Sequence, residues 1–272
     1  MTFNRFKSRL KKLALKNEIW INKIHYQQEL IDFLSRFRKH YVSCDLIRVG
    51  GEGDGGYLQP EILESIKYCF SPGVSFTANF EKELSDNYGI KSFMADASVS
   101  QPPLIDSNFN FIPKFLASYS SKEFITLSDW LNSTIGSDEG AKILQMDIEG
   151  AEYDVLTFED SDILSGFSIM TIEFHHLHAM FDKNFLRMIS GIFEKIYKNF
   201  SICHVHPNNC CPVASLYDVE IPDVIEVTFV RNDFLPIVLN NSTVHLPHQL
   251  DKKNVEKNAD IVMPKIWWDQ TF

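Results

Sequence analysis

The chain has 272 residues, with 26 basic and 36 acidic side chains and a formal net charge of −10. Its composition, 44% hydrophobic and 23% charged, excludes a disordered chain, because enough apolar surface is present to offset ordering entropy. The acidic balance excludes a sequence-blind nucleic-acid binder, whose surface must attract phosphates. At about 150 residues per domain, the length admits one large α/β domain with a helical extension or two domains. The cysteines are Cys44, Cys69, Cys203, Cys210 and Cys211. Their odd number, with no early apolar signal region, predicts a reducing cytoplasm rather than a disulfide scaffold.

In chain order, residues 3–39 carry apolar side chains at helical spacing, among them Leu10, Leu13, Leu15, Ile19, Ile21, Ile24, Leu30, Phe33, Leu34 and Phe37. The first part is also basic, so it either packs on the main domain, the reading favoured here, or lies on an anionic membrane. The glycine-rich loop Gly50-Gly51-Glu52-Gly53-Asp54-Gly55-Gly56-Tyr57 follows. Short apolar strands are predicted at 66–70, 91–95, 142–146, 167–174, 200–205 and 225–230. Helices are predicted at 79–88, from 127 behind a Ser128 cap, at 152–158 and at 181–199. Pro102, Pro103 and Pro113 mark 97–121 as loop.

Short apolar strands alternating with helices predict a parallel sheet wound on both faces. Such sheets bind ligands outside the carboxyl ends of their strands. Gly73, Asp96, Asp147, Glu173, His175 and His206 all fall at predicted strand ends. Ser71-Pro72-Gly73-Val74 is a turn in which glycine permits a positive φ and close approach of a ligand. Asp96, at the next strand end, is placed to accept from ribose hydroxyls. G-x-G-x-x-G is absent, which ranks a phosphate-free nucleoside, S-adenosylmethionine, above a dinucleotide. In Met146-Asp147-Ile148-Glu149-Gly150-Ala151-Glu152, a helix start accounts for Glu149 and Glu152, but Asp147 closes a buried strand and needs a partner. Glu173 and His175 share a strand face ahead of His176 and His178, and histidine suits general-base work. The run Cys203-His204-Val205-His206-Pro207-Asn208-Asn209-Cys210-Cys211 lacks the paired spacing of a cysteine zinc site. Its cysteines read as small buried hydrophobes, and His206 and Asn208 as cleft residues.

These motifs resemble the FkbM-like S-adenosylmethionine-dependent methyltransferases. The similarity rests on Arg48-x-Gly50 with Asp54-Gly55-Gly56-Tyr57, on Ser71-Pro72-Gly73-Val74 with Phe80-Glu81, and on Met146–Glu152. It extends through Ile172-Glu173-Phe174-His175, His206-Pro207-Asn208-Asn209, Pro222-x3-Glu226-Val227 and Pro264-Lys265-Ile266-Trp267-Trp268. It covers roughly residues 45–268 and departs at Ser75, where a second glycine is expected. The resemblance implies an α/β Rossmann-like class I methyltransferase fold, with a helical arm over 1–40 and a methyltransferase domain over 41–272. It implies methyl transfer to oxygen, often a sugar hydroxyl of a bacterial surface glycan or a related small molecule, as in polysaccharide biosynthesis.

The combined reading gives the cofactor to Ser71, Pro72, Gly73, Val74, Glu81, Asp96, Ala97 and Asp147. His175 is the base, oriented by Glu173, with Asp147 and His206 also in the catalytic group. Asp54, Tyr57, His176 and Asn208 are assigned to the acceptor. A divalent metal at Asp147 stays open, with metal-independent chemistry preferred. The arm and the Trp267-Trp268 tail are candidate surfaces for a homodimer, and the arm for peripheral membrane contact. The alternatives are a nicotinamide-dependent sugar oxidoreductase and a non-catalytic binding subunit of the same fold.

Overall fold

The computed structural model describes residues 3–17, 24, 27–216, 218–239 and 243–272. Ile19 and Ile21 of the predicted arm lie outside the described residues. The rest of the arm is two unlike helices. α1 (Phe3–Lys16) leaves Phe6, Leu10, Leu13 and Leu15 exposed, against the expectation that it packs on the domain. α2 (Gln27–Lys39) instead buries Leu30, Phe33, Leu34 and Phe37 in the main core.

A short antiparallel hairpin, β1 (Leu46–Val49) and β2 (Tyr57–Pro60), spans the glycine-rich loop. Next come β3 (Tyr68–Pro72), α3 (Asn79–Tyr88) and β4 (Lys91–Ala95). The stretch read as loop contains β5 (Phe109–Ile112) and β6 (Phe115–Leu116), which pairs with β7 (Phe124–Ile125). β5 escapes sequence reading because it is a half-exposed edge with no continuous apolar run. α4 (Leu127–Thr134) is capped by the Thr126 side chain, which accepts from the Asp129 N–H at 3.1 Å. Ser128, the expected cap, instead donates its N–H to Glu159 at 3.1 Å.

The second half continues with β8 (Lys142–Met146), α5 (Glu152–Phe158), α6 (Ser161–Ser165) and β9 (Ile169–Phe174). α7 (Lys183–Tyr197) starts at an Asp182 cap, and β10 (Phe200–Pro207) follows. A small hairpin, β11 (Val213–Leu216) and β12 (Val219–Pro222), precedes β13 (Ile225–Arg231).

Seven strands form one sheet in the order β10-β13-β9-β8-β3-β4-β5. The five from β9 to β5 are parallel, and β13 is antiparallel to both neighbours. Strand alternation divides the core. Phe70, Leu144 and Met170 face α2, α4, α5 and α7, whereas Cys69, Ile143 and Ile169 face the β1–β2 hairpin and α3. Chain order reverses between β3 and β8, the switch point at which a crevice opens on the carboxyl edge.

On the hairpin face the register lines up polar side chains. His204, Thr228, Thr171 and Gln145 form one row across the sheet. His206, Glu226 and Glu173 form the next, and Asp147 follows β8 beside it.

Candidate active site

The crevice is a cavity of about 780 Å³. Gly73, Val74 and Ser75 form its wall at the end of β3, Asp96 at the end of β4, and Asp147 and Ile148 at the end of β8. Gly73 has φ 89°, and a Cβ there would lie 1.6 Å from the Asp147 carbonyl oxygen. Only glycine lets these two strand-end loops meet. Ser75, where a second glycine was expected, adopts φ 44° all the same. Its N–H donates to Asp96 at 2.8 Å, while Ser98 N–H donates to the other Asp96 oxygen at 2.7 Å. Asp96 is thus held rigidly in the wall with lone pairs left for a ligand.

Of the cofactor-side expectations, Gly73, Val74, Glu81, Asp96 and Asp147 line the cavity; Ser71, Pro72 and Ala97 do not. Ser71 lies beneath it, its hydroxyl against Glu81 and Gln145. Burial raises the Glu81 pKa, opposed by the hydrogen bond from Ser71. Gln145 also donates to the Tyr57 hydroxyl at 3.2 Å. Sequence reading missed the Phe115–Ala117 side of the wall, with Tyr119 and Phe124, because strands of two residues carry no periodic signal.

The cavity wall holds the carboxylates Asp54, Glu81, Asp96, Asp147, Glu149 and Asp154, and no Lys or Arg among the described residues. Asp154 accepts from the Ser118 N–H and hydroxyl. Burial raises the Asp147 pKa to about 7, with Glu149, Asp54 and Glu226 adding to the rise and His175 opposing it. Asp147 Oδ1 is buried without a hydrogen bond, 3.6 Å from His175 Nε2, which leaves Oδ2 as the oxygen open to the cavity.

His175 does not itself line the cavity; it stands behind Asp147. Its Nε2 is also 3.6 Å from Glu149 and 3.9 Å from Glu173. Glu152, rather than Glu173, stands beside His175 Nδ1. Glu152 Oε1 lies 3.4 Å from His175 Nδ1 and accepts the His175 backbone N–H at 2.7 Å. Its second oxygen accepts from Gly150 N–H at 2.8 Å. Burial acts most strongly on His175 and lowers its pKa, but Glu152, Asp147 and Glu149 outweigh it, so the net shift is upward.

The remaining expected residues separate. Asp54 and Tyr57 reach the cavity. His176 is exposed in a left-handed turn, packed over Gly150. Asn208 donates to Glu173 at 2.7 Å, away from the cavity. His206 belongs to a different cluster, 3.6 Å from Asp251, and so does not join the catalytic group. Glu226, named in the sequence only within the Pro222-x3-Glu226-Val227 match and given no role there, is buried beside Glu173 in register and bonded by Asn254 at 2.6 Å. Burial raises the pKa of Glu173, as do Asp147 and Glu226; burial likewise raises Glu226, opposed by His206.

The family model described as the methyltransferase FkbM domain matches residues 55–200. No curated protein sequence matches the chain. Among solved structures, similarity is found to a fibrillarin/Nop5p complex chain (11% identity, TM-score 0.36, 61% of this chain and 73% of that one). It is also found to a precorrin-6y C5,15-methyltransferase from Geobacter metallireducens GS-15 (8%, 0.34, 78% and 93%) and to an antibiotic-related methyltransferase (14%, 0.30, 62% and 91%).

Proposed function

The chain belongs to the FkbM methyltransferase domain family, and from that premise we propose that it is an S-adenosylmethionine-dependent O-methyltransferase acting on an alcohol of a small molecule, a sugar hydroxyl foremost. The fold is the Rossmann-like class I methyltransferase fold expected of this family, and the family implies use of S-adenosylmethionine. The observation that carries the reading is the cavity's charge. Six acidic side chains and, among the described residues, no basic one line it, which suits a sulfonium cation and repels the pyrophosphate of a nicotinamide dinucleotide. The volume of about 780 Å³ lies in the ordinary range for a cofactor with part of a substrate.

Gly73–Ser75 and Asp96 would hold the nucleoside part, with Phe115 and Leu116 offering apolar surface. When bound, S-adenosylmethionine supplies an electrophilic methyl group. The protein's own task is to orient the alcohol and take its proton. Asp147, with a pKa of about 7 and Oδ2 facing the cavity, is the proton acceptor, and His175 stands behind it at 3.6 Å. Glu152 fixes His175, so the base and its support hang on β8, α5 and β9 together. This reverses the sequence-based roles, in which His175 met the alcohol directly. Transfer of a labelled methyl group from S-adenosylmethionine to a panel of sugars and glycan fragments tests the reading. Stabilisation by NADH, without stabilisation by S-adenosylhomocysteine, would sink it.

The exposed α1 favours an anionic membrane as a partner of the arm. It carries six basic residues, no acidic one, and Phe6, Leu10 and Leu13 along one side. No helix among the described residues is long and apolar enough to cross a membrane, so this contact is peripheral. Co-sedimentation with phosphatidylglycerol vesicles but not with phosphatidylcholine vesicles is the expected result.

A further inference from the structure

Among the described residues, two groups bring three metal-ligating atoms within 4.8 Å of one another. One is Asp147, Glu149 and His175 at the cavity. The other, His204, His206 and Asp251, lies on the flank of the sheet and plays no part in the chemistry above. We propose that His204, His206 and Asp251 form a binding site for a divalent transition metal of the zinc type, which fastens the C-terminal segment to edge strand β10.

The ligands arise from local structure. His204 and His206 are two apart on β10, so both rings leave the same face. Their planes differ by 14°, with centroids 6.5 Å apart. Asp251 Oδ1 comes between them, 2.9 Å from His204 Nε2 and 3.6 Å from His206 Nδ1. The carboxylate is held in place beforehand, because Asp251 Oδ2 accepts the His248 N–H at 2.7 Å.

A simple hydrogen-bonded pair accounts for Nε2 of His204, whose Nδ1 is buried without a partner, but for neither nitrogen of His206. His206 is 6% exposed, and neither of its ring nitrogens has a hydrogen-bond partner. Leaving a buried imidazole unsatisfied is costly. A cation ligated by Nδ1 of His206, Nε2 of His204 and Oδ1 of Asp251 removes that deficit at Nδ1. It also neutralises two buried carboxylates, since Glu226 is the register partner of His206 on the adjacent strand.

Two imidazoles and one carboxylate suit zinc and its neighbours rather than magnesium or calcium, which prefer all-oxygen sites. Thiolates play no part. Cys203 turns away and donates its thiol to the Thr228 carbonyl, while Cys210 and Cys211 face each other elsewhere. Beside His204 a second cavity of about 650 Å³, also lined by His245 and His248, offers entry and a free coordination position. The segment fastened there runs on to Asn254, which contacts Glu226 at 2.6 Å and Asp54 at 3.3 Å. The site thereby ties the sheet edge to the wall of the main cavity.

The test uses the full chain, stripped with a chelator and titrated with zinc alone by calorimetry. One equivalent is expected to bind, with a rise in Tm. His206→Gln and Asp251→Asn should each weaken binding at least tenfold, while His175→Gln and a Cys210→Ser/Cys211→Ser double variant should retain it. Should the ligand variants fail to fold, zinc-edge X-ray absorption of the wild-type protein decides, because the site requires two imidazoles and no sulfur. No stoichiometric binding overturns the proposal, and so does binding undiminished in His206→Gln and Asp251→Asn. Loss in His175→Gln alone would place the ion at Asp147 instead, and a sulfur or all-oxygen shell is equally fatal. None of these outcomes depends on methyl transfer.

Discussion

The carboxyl edge of the sheet has two halves built by the same rule and put to different use. On the β3, β4 and β8 side the chain order reverses at the cavity, whose wall holds Asp96, and the Asp147 side chain is 26% exposed. On the β9, β13 and β10 side the strands run on under the β1–β2 hairpin, and Glu173, Glu226 and His206 are sealed at 3%, 5% and 6% exposure. Asp147 can thus be reached from the cavity, whereas Glu173 and Glu226 cannot. A raised carboxylate pKa is a catalytic asset only where a substrate can reach the group.

The sharpest way to break this comparison is to neutralise one carboxylate on each side. Asp147→Asn should lower kcat by about 10²–10⁴-fold, the usual contribution of a positioned base, with S-adenosylhomocysteine affinity retained. Glu173→Gln should cost far less turnover. Equal losses would show that the sealed row shares the chemistry. Next in size is Asp96→Ala. It should weaken S-adenosylhomocysteine binding about ten- to a hundredfold by calorimetry, as loss of charge-assisted hydrogen bonds implies.

The pH profile sharpens the same contrast. Asp147 accepts a proton only when ionised, so kcat should fall as pH drops below about 7. His175 opposes the upward shift of Asp147, so His175→Gln should move that limb to higher pH.

Glu173 should report through stability instead. Its folded pKa lies above its unfolded value, so the native chain holds the extra proton between the two. Its stabilising share is complete below the unfolded pKa of about 4.3 and is lost as pH rises toward the folded value. Glu173→Gln should therefore raise Tm at pH 8 by about 2–4 °C per kcal/mol recovered, and change it little at pH 4. The smallest effect belongs to α1, whose Phe6, Leu10, Leu13 and Leu15 are exposed. Deleting it should leave Tm within about 1 °C, as an exposed element predicts, while abolishing sedimentation with anionic vesicles.

Much of this site was legible in the residues. Gly73, Asp96 and Asp147 fall at strand ends because buried parallel strands are short apolar runs that stop where the chain turns. Glu152 looked like an ordinary helix-start acid, yet it is the partner of His175, since α5 folds back over the end of β9. His206 and Asn208 looked like cleft residues for the same reason as His175, being at a strand end. They are not in the cavity because β13 inserts between β9 and β10.

Sequence alone determined the alternation of strand and helix, the ligand-bearing edge and the acidity of the cavity, since these depend on local patterning and on residue type. Tertiary structure decided which strand ends share a hollow, which carboxylates meet water, and that Asp147 rather than His175 lines the cavity. Those outcomes depend on strand order and register, where a residue's neighbours come from distant parts of the chain, and burial by such neighbours shifts its pKa.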